Sequence, residues 1–345
     1  MTRFFLSFVL LFQFFTCISQ EVDTFRISAY ADVYWKYDFS GKENIKTYFA
    51  NDHNSISLGM IGVGLLKSLG KASFVGELGF GPRGQYLSIP NGDAIENDLN
   101  NSFHIQNLFI KYAFTDKFSM TAGYMGTFVG YEVICPATNF HYSTSYLFAA
   151  GPFQNAGIKA NYVFSKHISA MLGLFNDWNV YRDLNGVSHI GAQIAVTPTE
   201  DWNATLNFLT GSSDRGPNNY SSGTLIDLVS SYHISDKLNL VVNAANYNFK
   251  EGGGYAGVAV YPKYDLNEAI AVGLRAELFH TKDHADFKGS TINSFTLSSQ
   301  FKHKGLILIP ELRLDHDDQP TFLEKDGLSP SNQAAQASIA LVYSF

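Results

Sequence analysis

Two groups of side chains have the donor types of a metal site: His280, Asp283, His284 and Asp286, and then Asp315, His316, Asp317 and Asp318. The second is rich in oxygen and would suit Ca²⁺ better than zinc. Spacing alone gives neither a coordination geometry, and both fall where long connections are expected, so solvated loop charge is the simpler reading. No metal or cofactor is expected. Gly79, Gly81 and Gly84 match GxGxxG, but that fingerprint needs a helix behind it and an acid about twenty residues on. Pro82 and a polar stretch follow instead. His104, His167 and His233 stand singly with no motif around them, which gives no support to a hydrolytic triad. The chain is therefore not read as an enzyme, and no catalytic residue is assigned. Apart from Cys17 there is one cysteine, Cys135, read as a small buried residue rather than half of a disulfide.

The charges with a systematic spacing lie an even number of residues apart. Asp32 and Lys36, Arg275 and Glu277, and Glu311 and Arg313 alternate with apolar residues, and Glu77, Lys111, Lys159 and Asp227 occupy equivalent polar positions. A period of two belongs to a strand with one polar and one apolar face. In 306–315, Leu306, Leu308, Leu312 and Leu314 oppose Glu311, Arg313 and Asp315. At the end of the chain Ala335, Ala337, Ile339, Leu341, Tyr343 and Phe345 oppose Gln336, Ser338, Ala340, Val342 and Ser344.

Such segments recur at 25–37, 55–66, 72–80, 103–114, 118–128, 153–164, 167–178, 189–197, 202–211, 224–234, 238–249, 255–264, 268–280, 292–301, 306–315 and 335–345. These are sixteen strands, of which 55–66 alternates poorly and leaves its register open. Short turns rich in Asp, Ser, Asn, Pro and Gly alternate with longer connections such as 39–54, 81–102, 129–152, 212–223 and 316–333. That asymmetry is the plan of a transmembrane antiparallel β-barrel, all-β, with short periplasmic turns and long extracellular loops. Rings near strand ends (Trp35, Tyr37, Phe114, Phe118, Phe164, Trp178, Trp202, Tyr343 and Phe345) are expected to form interfacial girdles.

Composition agrees. Aromatic residues make up 15% of the chain and charged residues 16%, against the usual quarter charged. The net charge of −7 argues against a nucleic-acid partner. Residues 1–20 have a basic start, an apolar run and a small polar end, the form of a cleaved secretory signal and short of the roughly 20 apolar residues of a membrane helix. Residues 21–345 then read as a single barrel, without a plug domain before the first strand.

One connection is unlike the rest. Segment 129–152 carries Tyr131, Val133, Ile134, Phe140, Tyr142, Tyr146, Leu147 and Phe148, with Glu132 its one charge. Water would not tolerate such an apolar loop, so it is expected to fold into the barrel mouth and narrow it, with Tyr131, Glu132, Tyr142, Tyr146 and Phe148 at the constriction. An exposed adhesive surface is the alternative.

The stretch GYMGTFVGYEVICPATNFHYSTSYLFAAGPFQNAGIKANY, from Gly123 to Tyr162, resembles the signature region of the OmpL-like β-barrel outer-membrane porins. The matching elements are Gly123, Thr127, Gly130, Tyr131, Glu132, Pro136, Asn139, Tyr142, Ser143, Ser145, Tyr146, Leu147, Phe148, Gly151 and Pro152. The resemblance implies an outer-membrane porin, without naming a solute. It also implies that the terminal Phe345 is read by the barrel-assembly machinery. Placing a constricting loop between strands five and six is similar to general sixteen-stranded porins.

Together these readings predict a passive diffusion channel for small hydrophilic solutes or ions in a Gram-negative outer membrane. The alternatives are a non-conducting structural or adhesive barrel and an outer-membrane hydrolase. Asp32, Lys36, Glu77, Lys111, Lys159, Asp227, Arg275, Glu277, Glu311 and Arg313 are the pore-lining candidates. The acids of the long connections (Asp93, Glu96, Asp98, Asp317, Asp318, Glu324 and Asp326) suggest a mild preference for cations. Expected partners are outer-membrane lipid and small solutes; a homotrimer is left open.

Overall fold

The computed structural model describes residues 24–83, 103–181, 183, 186–214 and 220–345. The expected signal segment, Gly84, and the acids Asp93, Glu96 and Asp98 lie outside the described residues. No helix among the described residues is long and apolar enough to cross a membrane.

The chain crosses with strands. In order they are β1 (Thr24–Asp38), β2 (Ile56–Leu69), β3 (Ala72–Phe80), β4 (Phe103–Ala113), β5 (Phe118–Gly126), β6 (Gln154–Ser165), β7 (Ile168–Trp178), β8 (His189–Thr199) and β9 (Trp202–Asp214). There follow β10 (Tyr220–His233), β11 (Leu238–Phe249), β12 (Gly254–Asp265), β13 (Ile270–Thr281), β14 (Thr291–His303), β15 (Leu306–Asp317), a small hairpin of β16 (Phe322–Leu323) and β17 (Pro330–Ser331), and β18 (Gln333–Ser344). Each long strand pairs antiparallel with its neighbours, and β18 pairs with both β15 and β1, so sixteen strands close a barrel. The closing register runs from Tyr30 opposite Ser344 to Asp38 opposite Gln336. Closure removes the free edge that would otherwise expose a row of backbone donors.

Burial follows the pleat. On β18, Ala334, Gln336, Ser338, Ala340 and Val342 are buried inward, while Ile339, Leu341 and Tyr343 are exposed. The same holds for Leu312 and Leu314 against Glu311, Arg313 and Asp315, and for Leu206 and Phe208 against Asn207 and Leu209. A continuous apolar outer face of this kind is stable only in lipid. On the short-turn side it ends in exposed rings, Tyr112, Phe114, Tyr162, Phe164, Trp202, Tyr232, Tyr264, Tyr343 and Phe345, where amphipathic rings favour the interface.

Three details depart from the simple alternation. Between Ala31 opposite Ile61 and Val33 opposite Leu58 the register shifts, which leaves Gly59 and Met60 together against Asp32. This β-bulge explains why 55–66 alternates poorly, since both residues turn inward. A second shift between β6 and β7 sets Trp178 against the inward Asn155. Trp178 therefore packs inside, 4.9 Å from the Tyr247 ring, and is not a girdle residue as its place at a strand end had suggested. Third, β9 and β10 continue to Asp214 and from Tyr220, into most of what reads in sequence as the loop 212–223. Ladder hydrogen bonds extend there past the apolar stretch.

Leu312 lies midway along β15 and is 55% exposed on the outer face. Leu312→Arg is expected to destabilise the barrel by about 2–4 kcal/mol in denaturant unfolding from lipid vesicles. An unaffected midpoint would contradict a lipid-facing position.

Candidate functional site

The connection between β5 and β6, residues 127–153, runs inside the barrel and includes the one-turn helix α1 (Tyr146–Ala150). A loop in that position must satisfy its backbone groups without bulk water. The barrel wall supplies the acceptors. Asp227 on β10 accepts from the Gly130 N–H at 2.9 Å. Glu311 on β15 accepts from the N–H groups of Tyr142 and Ser143 at 2.9 and 3.2 Å. Glu277 on β13 accepts from those of Tyr146 and Leu147 at 3.0 and 2.8 Å. These last two belong to the first turn of α1, where exposed N–H groups favour a negative charge.

Wall cations satisfy the loop carbonyls. Arg275 donates to the Ser143 carbonyl at 2.6 Å and pairs with Glu132 at 2.8 Å. Arg313 donates to the Thr144 carbonyl at 2.8 Å and is held by Asp315 at 2.9 Å. Glu132, the loop's one charge, also accepts from the N–H and hydroxyl of Ser145, each at 2.6 Å. Ser145 in turn caps α1 by accepting from the Phe148 N–H at 3.0 Å. Thus a single carboxylate ties the loop to itself and to the wall.

The loop tyrosines end on acids. The Tyr142 hydroxyl donates to Asp32 at 2.5 Å, and that of Tyr146 to Asp315 at 2.7 Å. Arg83, just after β3, reaches Asp32 at 3.5 Å and the Ile134 carbonyl at 3.1 Å, and lies over the Phe49 ring. His141 is 2.8 Å from the Ser298 hydroxyl. Burial first, and Arg275 second, hold its imidazole well below the usual range. It stays neutral in the folded barrel, so acidification below about 6.5 favours the unfolded chain, which takes up the proton.

The rest of the contact is apolar. Phe128, Val129 and Leu147 pack with inward Met171, Phe175, Leu209, Leu225, Tyr255, Tyr261 and Phe279. The Tyr131 ring lies tilted against Tyr261 with centroids 4.7 Å apart, and Phe148 lies 4.7 Å from Phe153 and 5.8 Å from Phe49.

All ten charged wall positions singled out in the sequence lie on the inner face. Asp32, Asp227, Arg275, Glu277, Glu311 and Arg313 come together beneath the loop and are buried. Lys36 instead pairs with Asp38 at 3.1 Å, and Glu77 accepts from Asn107 and Tyr30. Lys111 and Lys159 lie apart, on either side of Thr121. Sequence reading did not single out Arg83, Thr47 or the apolar inner wall of β7–β13. Asp315 alternates with apolar residues as an inward acid, while its sequence neighbours also give it the donor types of a metal cluster. The strand separates that cluster, since Asp315 and Asp317 face in while His316 and Asp318 are exposed. The other cluster, from His280 to Asp286, is exposed, and among the described residues no three His, Cys, Asp or Glu side chains converge on a metal position.

A family profile described as "Putative beta-barrel porin-2, OmpL-like" matches residues 24–345. The chain belongs to this porin family. Among solved structures, the barrel is similar to an anion-selective porin from Comamonas acidovorans (TM-score 0.64, 13% identity, covering 94% of this chain and 100% of that one). It is also similar to Pseudomonas putida OprB (0.63, 12%, 93% and 94%) and Salmonella typhi OmpF (0.62, 10%, 94% and 98%). At these identities the likeness is one of fold. No curated protein matches the sequence.

Arg275→Ala leaves Glu132 buried without its cation, a loss of about 3–5 kcal/mol for a buried pair. The variant is expected to expose Tyr142 and Tyr146 to chymotrypsin while the strands stay protected. Equal cleavage of both proteins would show that the pair does not hold the loop. Burial pushes the Cys135 thiol up to about 12, so maleimide at pH 8 should label the folded protein slowly and Arg275→Ala faster. Rapid labelling of the unaltered protein would contradict the packed position.

Proposed function

We propose that this porin is a passive diffusion channel for small hydrophilic solutes or ions in the outer membrane of a Gram-negative bacterium, and that segment 129–152 narrows its lumen. The observation that carries the reading is the anchoring of that segment to inward charges from β1, β10, β13 and β15 inside a closed ring of sixteen strands. Barrels of about this strand number leave an aqueous interior unless something fills it. A loop held there by hydrogen bonds sets the remaining width, and Tyr131, Glu132, Tyr142, Tyr146 and Phe148 are the constriction side chains. The pore-lining role of the ten wall charges is part of the same reading, with six of them serving mainly to hold the loop.

The reading is of a channel rather than an enzyme. Lipid contacts the apolar outer face, solutes pass within, and the barrel-assembly machinery receives the terminal strand. At the extracellular mouth the exposed acids Asp318, Glu324 and Asp326 favour cations, over a reach of about 10 Å at 0.1 M salt.

Purified, refolded protein is expected to conduct in a planar bilayer, and deletion of 131–148 to raise the single-channel conductance. A folded barrel that never conducts would support a structural or adhesive role instead. Conductance unchanged by the deletion would remove the narrowing role of the loop.

A further inference from the structure

A second connection also enters the barrel. In residues 39–54, between β1 and β2, Ile45, Thr47 and Phe49 are only 2%, 1% and 3% exposed, while Lys46 and Tyr48 between them face out. That alternation is the pattern of an extended strap lying across a packed surface. Both of its ends are tied. Asn44 exchanges two hydrogen bonds with the backbone of Leu323 in β16, each at 2.9 Å, and Ile45 packs with Phe322 and Ala334. At the other end the Asp52 N–H donates to the Tyr34 hydroxyl at 3.2 Å, and that hydroxyl donates to the Asp52 carboxylate at 3.1 Å. The Asp38 N–H donates to His53 at 3.0 Å.

Between these anchors, residues 46–51 rest on the constriction segment. The Thr144 hydroxyl donates to the Thr47 carbonyl, and Arg313 reaches the Thr47 hydroxyl at 3.3 Å. The Phe49 ring lies 5.8 Å from that of Phe148 and 4.1 Å from the Arg83 guanidinium. Tyr48 meets Phe153 edge-on at 4.8 Å, and Ala50 packs with Tyr34 and Tyr142. Two side chains of the constriction, Tyr142 and Phe148, are thus covered from the long-loop side.

The two inward segments are not held alike. Charged wall groups take both N–H and carbonyl groups of 129–152. Among the described residues, no wall charge takes a backbone group of 46–51. Tyr48 and Ala50 have φ of 71° and 58°, in the left-handed region that side chains disfavour. The side-chain carbonyl of Asn51 is buried without a hydrogen-bond partner, a loss that contact with water would restore. Ring burial therefore favours insertion, while backbone strain and a buried polar atom oppose it. A segment so balanced belongs to the part of a fold that opens locally.

We infer that residues 46–51 are a lid over the constriction. The lid closes the lumen by laying Thr47 and Phe49 on 129–152, and opens by lifting between its anchors at Asn44 and Asp52 while 129–152 stays in place. This deepens the channel reading and rests on it. Lid motions of microseconds to seconds reach the range of single-channel recording.

The test is single-channel current from the refolded full chain in planar bilayers. The unaltered protein is expected to step between two conductance levels. Phe49→Ala, which removes the ring between Phe148 and Arg83, should lengthen the time at the upper level severalfold without moving either level. The triple variant Thr47→Gly, Tyr48→Gly and Phe49→Gly keeps the chain length and should leave the upper level alone. A single level in the unaltered protein overturns the lid, and a rise of that level in the triple variant would make 39–54 a fixed constriction instead. Stepping that persists unchanged in the triple variant places the motion in another segment and overturns the lid as well. A folded protein that never conducts overturns the channel reading itself, which separates the two failures.

Discussion

A peptide chain inside a barrel must hydrogen-bond its own backbone groups or find acceptors and donors on the wall. In this protein the wall provides them as full charges. Glu277, Glu311 and Asp227 take loop N–H groups, and Arg275 and Arg313 take loop carbonyls. Hydrogen bonds to charged groups contribute about 1.5–3 kcal/mol each, more than neutral ones. They also have direction, which fixes the path of a segment that has only one helical turn of its own. The apolar contacts of Leu147, Phe128 and Tyr131 add burial but little orientation.

The same wall must satisfy lipid on its other face. Strict alternation achieves both, and where one residue would face the wrong way a bulge corrects it. Opposite Asp32 the bulge turns Gly59 and Met60 inward together, and the Met60 N–H donates to Asp32 at 2.9 Å. Asp32 is thereby positioned to receive the Tyr142 hydroxyl and face Arg83. The irregularity in the outer pattern of β2 is thus coupled to the placement of the loop.

Much of the barrel was legible in the sequence, because the strand period of two is local and lipid makes it strict. Leu306 to Asp315, Trp202 to Phe208 and Ala335 to Phe345 each declare both faces. The strand count, the short and long connections and the closure of the last strand on the first follow from that pattern. So did the direction of Asp32, Arg275, Glu277, Glu311 and Arg313. Trp178 could not be placed, because a register shift in its own strand's pairing with β6 reverses its side. The inward Phe175, Leu209 and Leu225 were equally hidden, since an apolar residue at an inward position looks like a flaw in alternation until a partner covers it.

The sequence by itself determined the all-β class, the sixteen crossings, the side of the wall each charge occupies, and an apolar loop that needed cover. These follow from spacing between near neighbours along the chain. Only the tertiary structure decided which charges meet. Glu132 and Arg275 are far apart in sequence yet 2.8 Å apart in space. Closing the ring and folding one loop into it sets those distances, and a closed ring brings together strands whose order along the chain carries no record of height.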